Sequence, residues 1–284
     1  MQTEFFKPID MKSTLGLLKQ YQEGAVIVNG GSDIVEKINK GGVTPAAIIY
    51  IADIQELKQI SRREGKIVIG GAVTYAEMLK SPIVQQVLGL VEAVRQLGSP
   101  PIREVATAAG NLGTAAPSAD CTTMLMSLDT KIVLVSEGKE RIVDIDKFFV
   151  KSYKNVIEPD ELIKEIYFDE PNAEMGSGYI RLARRKSQDI GKVLVGASLT
   201  VREGICKNAI IGLGALNATA VRAVSIEAAI TGKNKDEALA YIQSNFPKEA
   251  GLRESRFKSY KERVTCVAIE RAVTMAWNNT GEVQ

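Results

Sequence analysis

Residues 25–51 read as apolar strand, glycine turn, short helix and apolar strand, an order that commits this part of the chain to a small βαβ unit. Ala25-Val26-Ile27-Val28 is the first strand. Asn29-Gly30-Gly31-Ser32-Asp33 is the turn. Ile34-Val35-Glu36-Lys37-Ile38 is the helix, ended by Gly41-Gly42, and residues 46–51 form the second strand. Ahead of the unit, residues 13–21 read as a helix capped by Ser13.

Further on, a strand over 67–69 ends at Gly70-Gly71, Thr74 caps a helix through Lys80, and a longer helix spans 83 to about 96. Gly98-Ser99-Pro100-Pro101 breaks it. Residues 107–120 read as a loop of small residues, followed by a helix over 121–128 and strands over 131–135 and 161–168. Asp169-Glu170-Pro171-Asn172-Ala173, with Gly176-Ser177-Gly178 just after, has the composition of a linker. Beyond it, strands are expected over 178–182, 193–202 and 206–213, and helices over 221–231, 235–245 and 260–277. Strands followed by helices indicate an α+β unit. The expected division is 1–172, itself split near 55 into 1–55 and 56–172, and then 173–284.

Composition narrows the chemistry. The 284 residues are 45% hydrophobic and 25% charged, in the range of ordinary globular proteins. The 36 basic and 34 acidic residues are dispersed, so no stripe suited to a nucleic-acid backbone forms; the densest basic run, from Arg181 to Lys192, is short. No stretch reaches the ~18 to 20 apolar residues of a membrane helix, and the N-terminus lacks a secretory plan, so a cytoplasmic protein without a membrane span is expected. Cys121, Cys206 and Cys266 are odd in number and far apart, which argues against a disulfide framework and an iron–sulfur or zinc site. Histidine is absent, which removes Ser-His-Asp and Cys-His catalysis and His-ligated metals. The chemistry is therefore expected to belong to a cofactor.

Two segments could hold one. In Asn29-Gly30-Gly31-Ser32-Asp33 the glycines permit a sharp turn and close backbone approach, and the amides entering the next helix suit a phosphate. Taken alone, the same residues read first as a tight strand-to-helix turn with Ser32 or Asp33 as N-cap. The motif is neither G-x-x-x-x-G-K-[ST] nor G-x-G-x-x-G, and Gly212-Leu213-Gly214 lacks the third glycine of the latter. The second segment, residues 107–120, carries almost no bulky side chain. It could lay main chain against a flat or polyanionic ligand, with Asn111, Thr114, Ser118 and Asp120 as donors and acceptors, or it could be a closely packed structural loop. Two such loops in a histidine-free chain fit a cofactor with two separated parts, such as a dinucleotide.

Taken together, Val28 to Asp33, Gly98-Ser99-Pro100-Pro101-Ile102-Arg103 and Thr107-Ala108-Ala109-Gly110-Asn111-Leu112 through Pro117-Ser118-Ala119-Asp120 resemble the FAD-binding subunits of molybdenum hydroxylases. That family includes the medium subunits of xanthine, nicotinate and carbon monoxide dehydrogenases. Arg184-Arg185-Lys186-Ser187-Gln188-Asp189-Ile190 and Gly214 to Ala223 continue the resemblance in the same order. It implies an α+β fold with a two-part FAD-binding domain of the vanillyl-alcohol-oxidase type, then a small α+β C-terminal domain with a three-stranded antiparallel sheet and helices.

The resemblance also implies site residues. Ile27, Val28, Asn29, Gly30, Gly31, Ser32, Asp33 and Ile34 would surround the FAD pyrophosphate. Within 107–120, Thr107 and Gly110 would join the contacts, Asn111 and Thr114 would reach phosphate or ribose oxygens, and Asp120 would bind the adenosine end. Leu97 and Gly98 would lie near the flavin or adenine, Ile166 would offer backbone contacts, and Arg181 would sit near the isoalloxazine edge. Molybdopterin would reside on a large partner subunit and [2Fe–2S] clusters on a small one, in a heterotrimer or a dimer of heterotrimers whose flavin passes electrons to NAD⁺ or another acceptor. A purine such as xanthine is the expected substrate of the complex, with nicotinate or another N-heterocycle next, and the flavin subunit of an aldehyde or carbon monoxide dehydrogenase is the alternative. The sequence departs from the family's usual residues at Ser32, at Asn217-Ala218-Thr219 and above all at Ala109, where Gly is usual. No cysteine-bearing insert like that of 4-hydroxybenzoyl-CoA reductases is present. An autonomous flavin oxidase of this fold is disfavoured by the missing histidine, and a scaffold that has lost FAD is kept open by Ala109.

Overall fold

The computed structural model describes residues 3–185, 188–252 and 256–281. Among the described residues, three larger sheets follow one another along the chain, and a two-stranded one lies in sequence between strands of the second. The first contains β1 (Glu4–Phe6), β2 (Ala25–Val28) and β3 (Ala47–Tyr50), with helices α1 (Met11–Tyr21) and α2 (Ile34–Asn39) in the connections. Its order is β1-β3-β2 and both pairings are parallel, so β2-α2-β3 is the βαβ unit. The cap of α1 is Asp10, whose carboxylate accepts the Ser13 amide hydrogen bond at 2.7 Å. Ser13 lies inside the first turn and is not the cap. Asp10 titrates below its usual range because of those Ser13 bonds.

The second sheet is antiparallel, in the order β4-β5-β10-β6-β7. Its strands are β4 (Ile60–Arg63), β5 (Lys66–Gly70), β6 (Lys131–Ser136), β7 (Lys139–Asp144) and β10 (Leu162–Asp169). Five helices intervene between β5 and β6: α3 (Tyr75–Lys80), α4 (Leu88–Gln96), α5 (Pro100–Val105), α6 (Ala108–Thr114) and α7 (Asp120–Ser127). After β7 come α8 (Ile145–Phe148) and a hairpin of β8 (Phe149–Lys151) and β9 (Lys154–Asn155). Thr74 caps α3 in a reciprocal capping box with Glu77.

Two expectations change here. The Gly98-Ser99-Pro100-Pro101 segment ends α4 but also starts α5, because proline at the first helical positions gives up only amides that have no helical partner. Half of the presumed 107–120 loop is α6. Thr107 caps it, accepting the Gly110 amide at 3.0 Å, and Leu112 anchors it in the core. Gly110 and Gly113 lower intrinsic helix propensity, and tertiary anchoring overrides that.

The third sheet, order β11-β12-β13-β14, comprises β11 (Met175–Leu182), β12 (Val193–Arg202), β13 (Ile205–Gly214) and β14 (Val221–Arg222). It has four strands, not three. Val221 and Arg222 pair with Leu213 and Gly212, so the helix expected from 221 starts later, as α9 (Val224–Ile230). Helices α10 (Lys235–Ser244) and α11 (Lys258–Asn278) complete the chain. Nearly every residue of β12 is buried because α11 covers one face of the sheet and α7 the other. Both approaches need bare backbone. A Cβ at Gly178 would stand 2.4 Å from the Ala272 carbonyl oxygen of α11, and one at Gly212 2.3 Å from the Thr123 carbonyl oxygen of α7. Each Ile, Leu or Val sealed in this sandwich contributes roughly 1.5–3 kcal/mol. Thus α7 is held by the third sheet on one side and opens toward the N-terminal half on the other. No described helix is long and apolar enough to cross a membrane.

Candidate functional site

A cleft of about 780 Å³ runs between the C-terminal end of β2, the turn into α2, helix α6 and the start of α7. That volume is in the range of sites for whole cofactors. Its walls combine the two glycine- and small-residue segments singled out in the sequence.

The turn after β2 is the first wall. Gly30 sits against the end of α5: a Cβ there would stand 1.9 Å from the Val105 carbonyl oxygen, so only glycine allows this path. Gly31 adopts φ +67°, the left-handed region that glycine enters without strain. The turn is pinned by Asn29, whose Nδ2 donates to the Gly71 carbonyl at 2.9 Å and toward Thr107 Oγ1 at 3.4 Å. Two features of this wall call for a ligand. The amides of Gly30, Gly31, Ser32 and Asp33 donate to no acceptor among the described residues. Asn29 Oδ1 is buried and accepts no hydrogen bond among them either. A buried acceptor left unpaired costs about 1–3 kcal/mol, which a ligand hydroxyl or a water would recover. Backbone amides grouped on a glycine turn suit phosphate oxygens.

Helix α6 and the start of α7 form the second wall. Asn111 Oδ1 accepts from the Thr122 amide at 3.1 Å and the Thr122 hydroxyl at 2.9 Å, which ties α6 to α7. Thr114 Oγ1 donates to Asp33 Oδ2 at 3.2 Å and so joins the two walls. Ala109 lies in helical backbone, where its methyl brings no conformational penalty, and it lines the cleft.

At one end lies a buried polar cluster. Asp120 Oδ1 accepts from Tyr179 Oη at 2.8 Å and Arg181 Nε at 2.9 Å. The side chains of Arg181 and Asp120 are only 3% and 14% exposed. Burial raises the Asp120 carboxyl above its usual range, against the pull of Tyr179 and Arg181. Beside it, burial pushes the Cys121 thiol up to about 12, so it is a packed residue and not a reactive thiolate.

Of the residues expected at the site, Ile27, Asn29, Gly30, Gly31, Ser32, Asp33, Ile34, Leu97, Thr107, Gly110, Asn111, Thr114 and Asp120 line the cleft. Four do not. Val28 alternates to the opposite side of β2 from Ile27 and is buried there. Gly98 makes the left-handed turn behind Leu97, at φ +54°. Ile166 is in the middle of the second sheet, paired with Ile69 and Ile132 and sealed in the core; Leu162 and Ile163 of the same strand reach the cleft instead. Arg181 is spent on Asp120 and on the Asp189 carbonyl. Asp120, expected at the adenosine end, and Arg181, expected near the isoalloxazine edge, touch each other and so stand at one place along the cleft. Lys186 and Ser187 of the basic segment lie outside the described residues.

Several lining residues carried no motif. Lys37 of α2, Tyr75 of α3, and Tyr153 and Asn155 of the β8–β9 hairpin are among them. The hairpin is fastened to α6 by Tyr153 N to Ala115 O at 2.9 Å and Asn155 Nδ2 to Gly113 O at 2.9 Å. Tyr153 occupies positive φ, +59°, a property that its sequence does not display.

The loop after β11 gives a pH prediction. Asp189 accepts the Arg184 amide and guanidinium and titrates at about 2, below the ordinary 3.8. A depressed carboxylate stabilises the folded state above 3.8, and that contribution is lost as pH falls toward 2. Carboxyl-detected NMR is expected to find Asp189 titrating near 2, and Arg184→Gln to move it up toward 3.8; a wild-type midpoint near 3.8 would contradict the pairing.

Comparison with known proteins comes to the same chemistry. Residues 1–170 match the family described as FAD binding domain in molybdopterin dehydrogenase, and residues 178–276 the CO dehydrogenase flavoprotein C-terminal domain. The nicotinate dehydrogenase FAD-subunit of Eubacterium barkeri is 34% identical over 209 residues, 72% of this chain and 71% of the relative. The putative xanthine dehydrogenase FAD-binding subunit of Escherichia coli K12 is 29% identical over 201 residues, 70% of this chain and 69% of that one. A carbon monoxide dehydrogenase structure from Hydrogenophaga pseudoflava, lacking the Mo-pyranopterin moiety of its cofactor, superposes with a TM-score of 0.90. It is 25% identical and covers 99% of both chains.

Proposed function

Because the chain belongs to the FAD-binding subunits of molybdopterin dehydrogenases, we propose that it holds FAD along this cleft and works as the electron-transfer subunit of a molybdenum hydroxylase. The observation that carries the reading is the run of unpartnered amides from Gly30 to Asp33 facing a cleft of cofactor size. Those amides would hold the pyrophosphate. Asn29 and Thr114 would meet hydroxyl or phosphate oxygens, and Leu97 and Ile102 would supply apolar contact. When bound, FAD supplies electron storage between the iron–sulfur centres of a partner and an acceptor such as NAD⁺.

The chain's own part is positional. Asn111 holds α6 on α7, Gly30 brings the amide turn against α5, and the buried Asp120–Arg181 pair fixes the third sheet to the cleft floor. No side chain is required as an acid or base. A molybdopterin subunit and a [2Fe–2S] subunit complete the complex as a heterotrimer, since this chain supplies neither a cysteine set nor, among the described residues, a group of metal ligands.

The organic substrate is an N-heterocycle. Xanthine is one reading, supported by the Escherichia coli relative; nicotinate is the other, favoured by the 34% identity of the Eubacterium barkeri subunit. Anaerobic addition of xanthine or nicotinate to the co-purified complex is expected to bleach the flavin absorbance with one of them, and NAD⁺ to restore it. Bleaching by neither substrate would overturn the N-heterocycle reading, and colour restored by quinone but not NAD⁺ would overturn NAD⁺ as acceptor.

A further inference from the structure

The side chains around the cleft are more often acidic than basic. Glu23, Asp33, Asp120, Glu158 and Glu161 all line it, and among the described lining residues Lys37 is the one cation. Asp120 and Glu161 are answered from outside the cleft, by Arg181 and Arg141. Asp33 is answered from within. Its carboxylate sits directly after the unpartnered amides, where a phosphate would meet it, and Lys37 Nζ stands 2.6 Å from its Oδ2.

An ion pair four residues apart on a short helix is by itself ordinary, and most such pairs on a surface do little. This one has a third partner from a distant part of the chain. The Tyr153 ring lies 5.3 Å from Lys37 Nζ, within the range of a cation–π contact, on the hairpin that α6 holds in place. Thr114 donates to the same Asp33 oxygen from the opposite wall. The ammonium group is thus held between the Asp33 carboxylate and the Tyr153 ring at the edge of the cleft, while its side chain stays partly exposed.

Resting on the proposal that the cleft holds FAD, we propose that Lys37 is the electrostatic determinant of its pyrophosphate site. Its ammonium offsets the Asp33 carboxylate and supplies the counter-charge that the amides of residues 30–33 lack, and Tyr153 positions it. Without that cation, a dianion would enter beside an unmasked carboxylate and be repelled.

The test is a fluorescence titration of the FAD-free full chain with FAD, at low and at high sodium chloride, for wild type, Lys37→Met and Lys37→Arg. Lys37→Met is expected to bind FAD about tenfold more weakly at low salt. Wild-type affinity should fall as salt rises, because screening weakens an attraction; in Lys37→Met it should stay flat or rise, because screening then relieves a repulsion. Lys37→Arg should recover the wild-type pattern. Lys37 is partly exposed, so the unfolding midpoint of the FAD-free chain should be unchanged in both variants. Equal affinity and equal salt dependence in wild type and Lys37→Met would overturn the role of Lys37 while leaving the FAD reading intact. Equal weakening by Met and Arg would also overturn it, since shape and not charge would then matter. A wild-type chain that takes up no FAD would instead overturn the reading on which this rests.

Discussion

Gly30→Val is expected to abolish FAD retention. The turn after β2 can approach α5 only with a bare Cα at this position: a Cβ would overlap the Val105 carbonyl, 1.9 Å from its oxygen and 2.3 Å from its carbon, and backbone atoms cannot swing aside as a flexible side chain would. The turn must lift, and the amides of residues 30–33 lift with it. Hydrogen bonds to a charged acceptor contribute about 1.5–3 kcal/mol each, so misplacing two of them weakens binding by at least about a hundredfold. Gly16→Ala is the matched control. It lies in α1 with nothing within 4 Å of its would-be Cβ, and should keep FAD while gaining about 0.5–1 kcal/mol of helix stability. Stoichiometric FAD on purified Gly30→Val would remove the pyrophosphate from this turn.

Arg181→Met carries the largest expected cost in stability. Asp120 is buried and accepts from Arg181 and Tyr179; removing the guanidinium leaves a carboxylate in a low-dielectric site with one neutral donor. Breaking such a pair costs about 3–5 kcal/mol. The sign of its pH dependence follows from the raised Asp120 carboxyl, which the variant raises further. A folded-state value above the unfolded one lowers stability as pH rises through that window, so the loss in Arg181→Met should be smallest in mild acid and grow toward neutral pH. Pairing it with Asp120→Asn should recover most of the loss, because the uncompensated charge is gone. Urea unfolding of wild type and the two variants checks this; equal midpoints for Arg181→Met and wild type at neutral pH would show that the pair is not buried as described.

Long, strongly patterned elements were legible in the sequence. The continuous apolar character of β12 marked a strand covered on both faces, and the periodicity of α11 marked its helix within two residues of each end. The βαβ unit was legible because strand, glycine turn and helix punctuate one another. Elements stabilised by contacts from elsewhere were not. β7 reads Lys-Glu-Arg-Ile-Val-Asp, an exposed edge strand whose pairing with β6 supplies what its composition does not. α6 looks like a loop because its glycines disfavour helix, and only Thr107 and the buried Leu112 decide otherwise.

The candidate site divides in the same way. The glycine turn and residues 107–120 were visible because ligand-facing backbone requires small residues at fixed positions. Lys37, Tyr153 and Asn155 were not, since an ordinary lysine on a helix and a hairpin far along the chain acquire their place only when the walls of the cleft come together. Arg181 has a partner that its position in the sequence did not show: the resemblance places it near the flavin edge, and in the structure it pairs with the buried Asp120 carboxylate.

The most direct measurement is the absorption spectrum of the purified chain, expressed alone and with its partner subunits, together with the mass of the cofactor released on denaturation. FAD on the isolated chain, with iron and molybdenum appearing only when the partners co-purify, is the expected result. A colourless chain that takes up no added FAD would contradict it, and would leave a scaffold built on a flavin-subunit fold.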